Sequence, residues 1–245
     1  MIKIGVNGAC GKMGKRIIAL AQEDKGLAAV VALESSTHPS IGQVCAGLEV
    51  TDDTSKIVEC DCLIDFSAPL ATTFCLEQAV KFKKPLVIGT TGLEPAQQER
   101  VKEASKTIPI VFSPNMSVGV NLLFKVLKIA ASILKNYEVN IEEAHHIHKK
   151  DSPSGTAKKI VQIINEQGFS IKNEEVKAIR EGEIVGDHKI VFENQVDKIE
   201  LSHSAKTRDI FAKGALLAAQ WLVNKEEGLY SMDDVLFGNK KGQDD

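Results

Sequence analysis

Three of the chain's six histidines fall within four residues, and lysines follow at once, in Glu143-Ala144-His145-His146-Ile147-His148-Lys149-Lys150-Asp151. Imidazole titrates near neutrality and either gives or takes a proton. Lysine offers a fixed positive charge to an anion, or a proton when its pKa is lowered. The run continues as Ser152-Pro153-Ser154-Gly155-Thr156-Ala157, which predicts a helix start. Ser154 and Thr156 suit the cap and first turn, and Gly155 permits close approach. The exposed amides of such a start suit a carboxylate or phosphate. A cationic, proton-active segment that leads into an anion-binding helix end implies a small acidic substrate that receives a proton.

Plainer readings of the run exist. A metal site is opposed by the Lys149 charge beside the imidazoles and by the lack of a thiolate in the run, so no metal is expected. A solvated polar loop would need no chemistry at all. Ser154 as a nucleophile lacks a surrounding Gly-x-Ser-x-Gly. On a strand, His146 and His148 would share one face, and His145 and Ile147 the other; a turn would relax that division.

A second constellation opens the chain. Gly8-Ala9-Cys10-Gly11-Lys12-Met13-Gly14 follows an apolar run and leads into a helical pattern. Glycine there allows a tight turn and lets a pyrophosphate reach the backbone, and the helix start supplies unpaired amides. The spacing Gly-x-x-Gly-x-x-Gly departs from the commoner Gly-x-Gly-x-x-Gly. Glu34 lies 20 residues beyond Gly14, where an acid is expected on the adenosine ribose hydroxyls. Gly89-Thr90-Thr91-Gly92 and Ser113-Pro114-Asn115-Met116 follow two further apolar runs, at the strand ends that line the ligand crevice of an open sheet.

The elements that must position these residues alternate in the first half. Ile2–Val6, Ala28–Leu33, Leu63–Phe66, Leu86–Ile88 and Ile108–Phe112 read as strands, with helices over Lys12–Gln22, Ala68–Val80 and Pro95–Ala104. That alternation predicts a parallel sheet covered on both faces. The pattern changes near Ser117. A long helix over Val118–Leu134 precedes a strand over Glu138–Ala144 and a helix from Ser154 to about Glu166. Strands follow over Val185–Phe192 and Lys198–Ser202, then a last helix over Ile210–Leu222. The fold class is therefore α/β: an N-terminal Rossmann-type doubly wound parallel sheet plus a smaller α+β domain with an open mixed sheet. Residues 1–116 with 209–245 form the dinucleotide-binding domain, and residues 117–208 the substrate-binding and oligomerisation domain. The acidic end Gln243-Asp244-Asp245 reads as a frayed terminus.

Composition bounds the function class. The 245 residues are 43% hydrophobic and 26% charged, with a net charge of −3. That balance fits a globular protein and argues against nucleic-acid binding. No apolar run approaches the roughly 20 residues of a membrane span, and Lys3 and Gly5 break the N-terminal stretch, so neither a membrane protein nor a signal peptide is expected. A cytoplasmic location is expected. The five cysteines (Cys10, Cys45, Cys60, Cys62 and Cys75) are odd in number, which points to reduced thiols rather than a disulfide framework.

The run Glu143-x-His145-x-x-x-Lys149-x-Asp151-x-Pro153-Ser154-Gly155-Thr156-Ala157 resembles the dihydrodipicolinate reductases of bacterial lysine biosynthesis. The resemblance extends in order through Val6–Gly14, Asp65-Phe66-Ser67, Gly89–Gly92, Asn115–Asn121 and Phe211–Leu222, nearly the whole chain. It implies NADH- or NADPH-dependent reduction of a cyclic dicarboxylate, 4-hydroxy-tetrahydrodipicolinate (dihydrodipicolinate), to tetrahydrodipicolinate, with hydride added at C4. It implies that His145 donates or accepts a proton and Lys149 donates one, and that His146, Gly155 and Thr156 hold a substrate carboxylate. It places the dinucleotide on Gly8, Ala9, Cys10, Gly11, Lys12, Met13, Glu34, Gly89, Thr90, Thr91, Ser113, Pro114, Asn115 and Met116, and it implies a homotetramer assembled through the second sheet. Two departures stand out. Ser35 follows the ribose-binding acid where relatives often carry arginine, which favours NADH over NADPH. The stretch Gln167–Glu183 is shorter than in many relatives. Outside the family, a two-domain sugar or amino-acid dehydrogenase is the alternative, suggested by Lys84-Pro85 at a strand start. A non-catalytic nucleotide sensor is another, with no need of His145 and Lys149.

Overall fold

The computed structural model describes residues 1–238, so the expectation for Gln243–Asp245 lies outside the described residues. The chain divides into two compact units, residues 1–117 with 211–245 and residues 118–210.

The first unit is built on strands β1 (Ile2–Asn7), β2 (Leu27–Leu33), β3 (Val44–Cys45), β4 (Leu48–Thr51), β5 (Cys62–Asp65), β6 (Leu86–Ile88) and β7 (Pro109–Phe112). Helices α1 (Lys12–Glu23), α2 (Pro69–Lys81) and α3 (Pro95–Ala104) intervene. The helix starts have clear causes. Pro69 and Pro95 occupy first-turn positions, and the Glu94 amide donates to Gln97 Oε1 (3.0 Å) at the start of α3. Strands β5 and β6 are buried along their whole length, and β1 through Ile4, Gly5 and Val6, as expected of strands covered on both faces.

The second unit holds α4 (Val118–Ile133), β8 (Glu138–His145), α5 (Gly155–Asn165), β9 (Lys177–Arg180), β10 (Gly186–Glu193) and β11 (Lys198–Ala205). Its sheet runs β11-β10-β8-β9, antiparallel except for the parallel pair β8 and β9. Leu123, Leu127 and Ala131 of α4 and Ile160, Val161 and Ile164 of α5 pack with Ile141, Ile190 and Phe192 of the sheet. The spacing of three and four residues puts each set on one helix face.

The chain then returns to the first unit through α6 (Asp209–Leu222), β12 (Gly228–Tyr230) and α7 (Met232–Phe237). That sheet has the order β12-β7-β6-β5-β1-β2-β4-β3, parallel throughout except for the β3–β4 hairpin. Strand β1 sits between β2 and β5, so the chain winds in opposite directions on its two sides. The switch point of the sheet is therefore at the carboxyl end of β1, where a ligand crevice forms.

The elements read from sequence are present within a few residues of their expected ends. The short strands β3, β4, β9 and β12 and the helix α7 were not expected. One reading is corrected. Strand β8 ends at His145, and residues 146–149 form a turn, so the alternation of His146 and His148 against His145 and Ile147 does not apply. The turn is held by the His146 amide on the Ile184 carbonyl (2.7 Å) and the Lys149 amide on the His146 carbonyl (3.1 Å).

Candidate active site: a dinucleotide crevice and a carboxylate-held histidine

The glycine loop leaves β1 at Gly8, whose φ of 79° is left-handed. A Cβ there would lie 2.4 Å from the Phe66 carbonyl oxygen, so no other residue fits. The amides of Gly8 and Ala9 both donate to the Leu33 carbonyl (3.1 and 3.2 Å). The Cys10 amide donates to Glu34 Oε1 (2.8 Å). These bonds bind the loop to the end of β2. Gly11 caps α1 with no side-chain bond, which leaves the first amides of the helix, those of Lys12 and Met13, without an intrahelical acceptor. An uncapped start and a glycine in close approach fit a pyrophosphate.

Asp65 organises the rest of the crevice. It is fully buried at the end of β5. Its Oδ1 accepts from Asn7 Nδ2 and Ser67 Oγ (both 2.6 Å), and its Oδ2 from Thr72 Oγ1 (2.6 Å) and Thr90 Oγ1 (2.7 Å). One carboxylate thus ties together β1, β5, α2 and the loop after β6. The Thr90 hydroxyl also accepts from the Ser67 amide (2.9 Å), so Thr90 serves the frame with its side chain and has only its backbone for a ligand. The side chains of Ala9 and Met116 are buried in the core and likewise leave only backbone. Gly11, Lys12, Thr91 and Pro114 are exposed, while Met13, Glu34 and Asn115 are half-buried. Ser113 Oγ donates to the Asn115 carbonyl (2.9 Å), and Asn115 Oδ1 accepts from the Ser117 amide (2.9 Å), which shapes the loop after β7. The framing role of Asp65 was not read from sequence. Its one signal was the number of short polar residues that follow apolar strands.

In the second unit, β8 places Glu143 and His145 on the same buried face, two residues apart. Glu143 Oε2 binds His145 Nδ1. Glu143 Oε1 accepts from Arg180 Nη2 (2.7 Å) and from the Ser154 amide (3.2 Å). The carboxylate therefore joins the histidine to the cap of α5. Ser154 completes the cap by accepting from the Ala157 amide (3.2 Å), and its hydroxyl lies 3.3 Å from His188 Nε2. Around Gly155 the space is open. Thr156 is half-buried in the first turn of α5, and His146 is half-buried in the turn after β8. Lys149 Nζ pairs with Asp151 Oδ1 at 2.8 Å.

The electrostatics set the proton states. Burial acts to raise the Glu143 carboxyl, but the bonds from Arg180 and His145 outweigh it and hold the group below the ordinary carboxylate range. Burial lowers His145 by more than its bond to Glu143 raises it, and the charges of Lys149 and Arg180 lower it further. His145 is therefore neutral at pH 7. Its proton sits on Nδ1 toward Glu143, which leaves Nε2 as the acceptor nitrogen of the ring. A Cβ on Gly186 of β10 would lie 3.0 Å from that Nε2, so the glycine keeps that edge of the ring clear. His188 packs edge-on against His145, with ring centroids 5.3 Å apart, and burial pushes it down to about 4. Donor atoms of Glu143, His145 and His188 lie within 4.8 Å of one another, but Arg180 already occupies the carboxylate, and its charge opposes a metal ion.

Arg180 and His188 were not among the residues read from sequence. Each lies more than 30 residues from its partner and arrives by strand pairing: His145 opposite Arg180, and Glu143 opposite His188.

Family models for the dihydrodipicolinate reductase N-terminus and C-terminus match residues 2–116 and 119–236. The chain belongs to the dihydrodipicolinate reductase family. Its relatives include the 4-hydroxy-tetrahydrodipicolinate reductases of Geotalea uraniireducens and Syntrophotalea carbinolica. Each is 42% identical over an alignment that covers 96% of this chain and 99% of the relative. Among solved structures, the fold is shared with a dipicolinate-bound dihydrodipicolinate reductase from Paenisporosarcina sp. TG-14. The TM-score is 0.80 at 21% identity, covering 94% of this chain and 97% of that one. A probable dehydrogenase from Thermotoga maritima shares it more loosely, with a TM-score of 0.62 at 12% identity, over 96% of this chain and 93% of that one. Members of the family are oxidoreductases, and the crevice of the first unit is where this chain has the features of a pyridine-nucleotide site.

Proposed function

We propose that the chain reduces 4-hydroxy-tetrahydrodipicolinate to tetrahydrodipicolinate with a nicotinamide dinucleotide, in lysine and diaminopimelate biosynthesis; overall the substrate gains one hydride and one proton and loses its 4-hydroxyl as water. The observation that carries the reading is the shared carboxylate of Glu143, which orients His145 and caps the start of α5. The dinucleotide, when bound, supplies the hydride. The protein holds the substrate and manages the proton. The open helix start at Gly155 and Thr156, with His146 beside β8, holds one carboxylate of the substrate. Lys149 adds positive charge, and Asp151 fixes where it sits. Reduction leaves negative charge on the substrate, which a proton must quench. His145 delivers or relays that proton through Nε2, and Lys149 donates one. A dianionic substrate also counters the Lys149 and Arg180 charges that add to burial in keeping His145 neutral, so binding itself drives the ring toward its acid form.

In the first unit, the amides of Lys12 and Met13 receive the pyrophosphate and Glu34 the adenosine ribose. Gly8 to Gly11, Gly89 to Thr91 and Ser113 to Met116 line the crevice. Glu34 repels a 2′-phosphate and Ser35 offers it no cation, so NADH is the preferred cofactor. Lys12 is the one exposed cation on the glycine loop. The expected kcat/KM is about tenfold higher with NADH; a strong preference for NADPH overturns the assignment. The reaction itself is tested by oxidation of NADH and NADPH with freshly made synthase product. No oxidation with either cofactor refutes it.

We further propose a homotetramer in the cytoplasm. Helices α4 and α5 cover one face of the second sheet. The other face carries paired charges, Lys189 with Glu200 (2.9 Å) and Lys177 with Glu142 (2.6 Å), and is available for assembly. Sedimentation as a monomer would exclude it. A sugar or amino-acid dehydrogenase finds little support, because Lys84 Nζ is turned onto the Val58 carbonyl at 3.1 Å.

A further inference from the structure

A second group of donors lies in the first unit. Cys10, Glu34 and His38 each bring one ligand atom to the same spot, all within 4.8 Å of one another. Cys45 adds a second thiol. Its Sγ stands 3.9 Å from the carbonyl of Ala9, the residue before Cys10. Three segments of chain meet here: the glycine loop, the end of β2 with the loop that follows it, and the β3–β4 hairpin. None of the four residues is buried. The hairpin turns at Ala46-Gly47, with φ of 49° and 86°. Left-handed residues at both central positions make a tight turn whose geometry is fixed, and it holds Cys45 against the glycine loop.

We propose that Cys10, Glu34, His38 and Cys45 form a binding site for a divalent cation of the zinc class, overlapping the adenosine end of the dinucleotide crevice, so that metal and cofactor exclude each other. Two thiolates, an imidazole and a carboxylate are a ligand set that selects zinc over magnesium or calcium, which prefer oxygen alone. Bonds of about 2.0–2.3 Å in a tetrahedral site bring donors closer together than they now stand. Partly exposed side chains on loops make that adjustment. Glu34 keeps its bond from the Cys10 amide on one oxygen and offers the other. The Ser40 amide donates to His38 Nδ1 at 3.2 Å. That bond would be exchanged for the metal, so the affinity is that of a regulatory site rather than a structural one. Metal here blocks the reaction and plays no part in its chemistry.

The overlap rests on the assignment of Glu34 to the ribose, and the test separates the two. Cofactor-free protein is titrated with Co²⁺, and the thiolate-to-cobalt absorption is read. It saturates at one equivalent and is lost in Cys10→Ser; Zn²⁺ displaces the cobalt. In steady state, Zn²⁺ raises the apparent KM for NADH without lowering kcat, and a chelator reverses the effect. His38→Ala and Cys45→Ser keep normal turnover in metal-free buffer, and each needs about tenfold more Zn²⁺ for the same inhibition. Absence of the absorption, or its persistence in both cysteine variants, overturns the site. Absorption with no change in the KM for NADH overturns the overlap, and with it the placing of the ribose on Glu34. The spectral titration needs no turnover, so it stands even if the proposed reaction fails.

Discussion

Asp65 in the first unit and Glu143 in the second are both carboxylates with almost no exposed surface, and they are satisfied in different ways. Asp65 accepts four bonds from neutral groups: three hydroxyls and an amide. Glu143 accepts from a guanidinium, an imidazole and one backbone amide. The first arrangement fixes strand ends and loops, and nothing bonded to it titrates near neutrality. The second is bonded to a group that does. A buried carboxylate with neutral donors acts as a staple; one shared between a permanent cation and a histidine sets a proton's position. Burial and position at a strand end are common to both, so those features alone do not reveal the role. The partners do.

The sharpest test is His145→Ala, which removes the proton-active ring and leaves the Asp65 network untouched. Turnover should fall by about 10²–10⁴-fold, with NADH binding by fluorescence unchanged. Near-normal turnover would reduce Glu143 to a second staple.

His188 probes the same pocket through stability. Its folded pKa of about 4 lies below the usual 6.5. Between those values the unfolded chain binds a proton that the folded chain does not, so stability rises with pH there and is lost as pH falls from 6.5 toward 4. The loss is about 3 kcal/mol in total. His188→Gln should flatten that part of the denaturation profile. An unchanged slope would place the titration elsewhere.

Glu143→Gln keeps the shape of the side chain but removes the charge and puts an amide beside His145 or Arg180. The expected loss is about 10²-fold in kcat, and the inflection due to His145 moves to lower pH, because the anion that raised it is gone. A loss confined to thermal stability would mean that Glu143 is purely structural. Asp65→Asn should do the converse. It leaves part of a four-donor network facing an amide, costs about 1–3 kcal/mol, and lowers Tm by roughly 2–4 °C per kcal/mol at this chain length, with the pH profile of turnover unmoved.

This contrast also marks what the sequence made legible. His145, Lys149, Ser154 and the glycine loop stand in short runs, and local rules suffice for a helix start or a tight turn. Glu143 was visible as a member of its run, but its task depends on Arg180, 37 residues away, and on His188, brought opposite by β10. Strand β9 is only four residues long and follows a polar stretch, so no periodicity announced it. The hairpin that presents Cys45 is equally brief. Its Ala-Gly turn is not the Asn-Gly or Asp-Gly pair that signals such hairpins most strongly. Pairing across a sheet is set by the whole fold, and the second half of the candidate site was written in pairings.

The return of the chain to its first unit has a consequence for how the protein is made. Ala212, Ala215, Leu216, Ala218, Ala219, Leu222 and Met232 belong to the same core as Ile4, Val6 and Ile17. During synthesis the amino-terminal strands emerge first, yet that core stays incomplete until the last helices have left the ribosome. The second unit, residues 118–210, is continuous in sequence and has all its parts earlier. His145 would thus stand in a finished pocket while the crevice at the end of β1 is still waiting for its closing helix. A chain cut short near its end loses the first unit before the second.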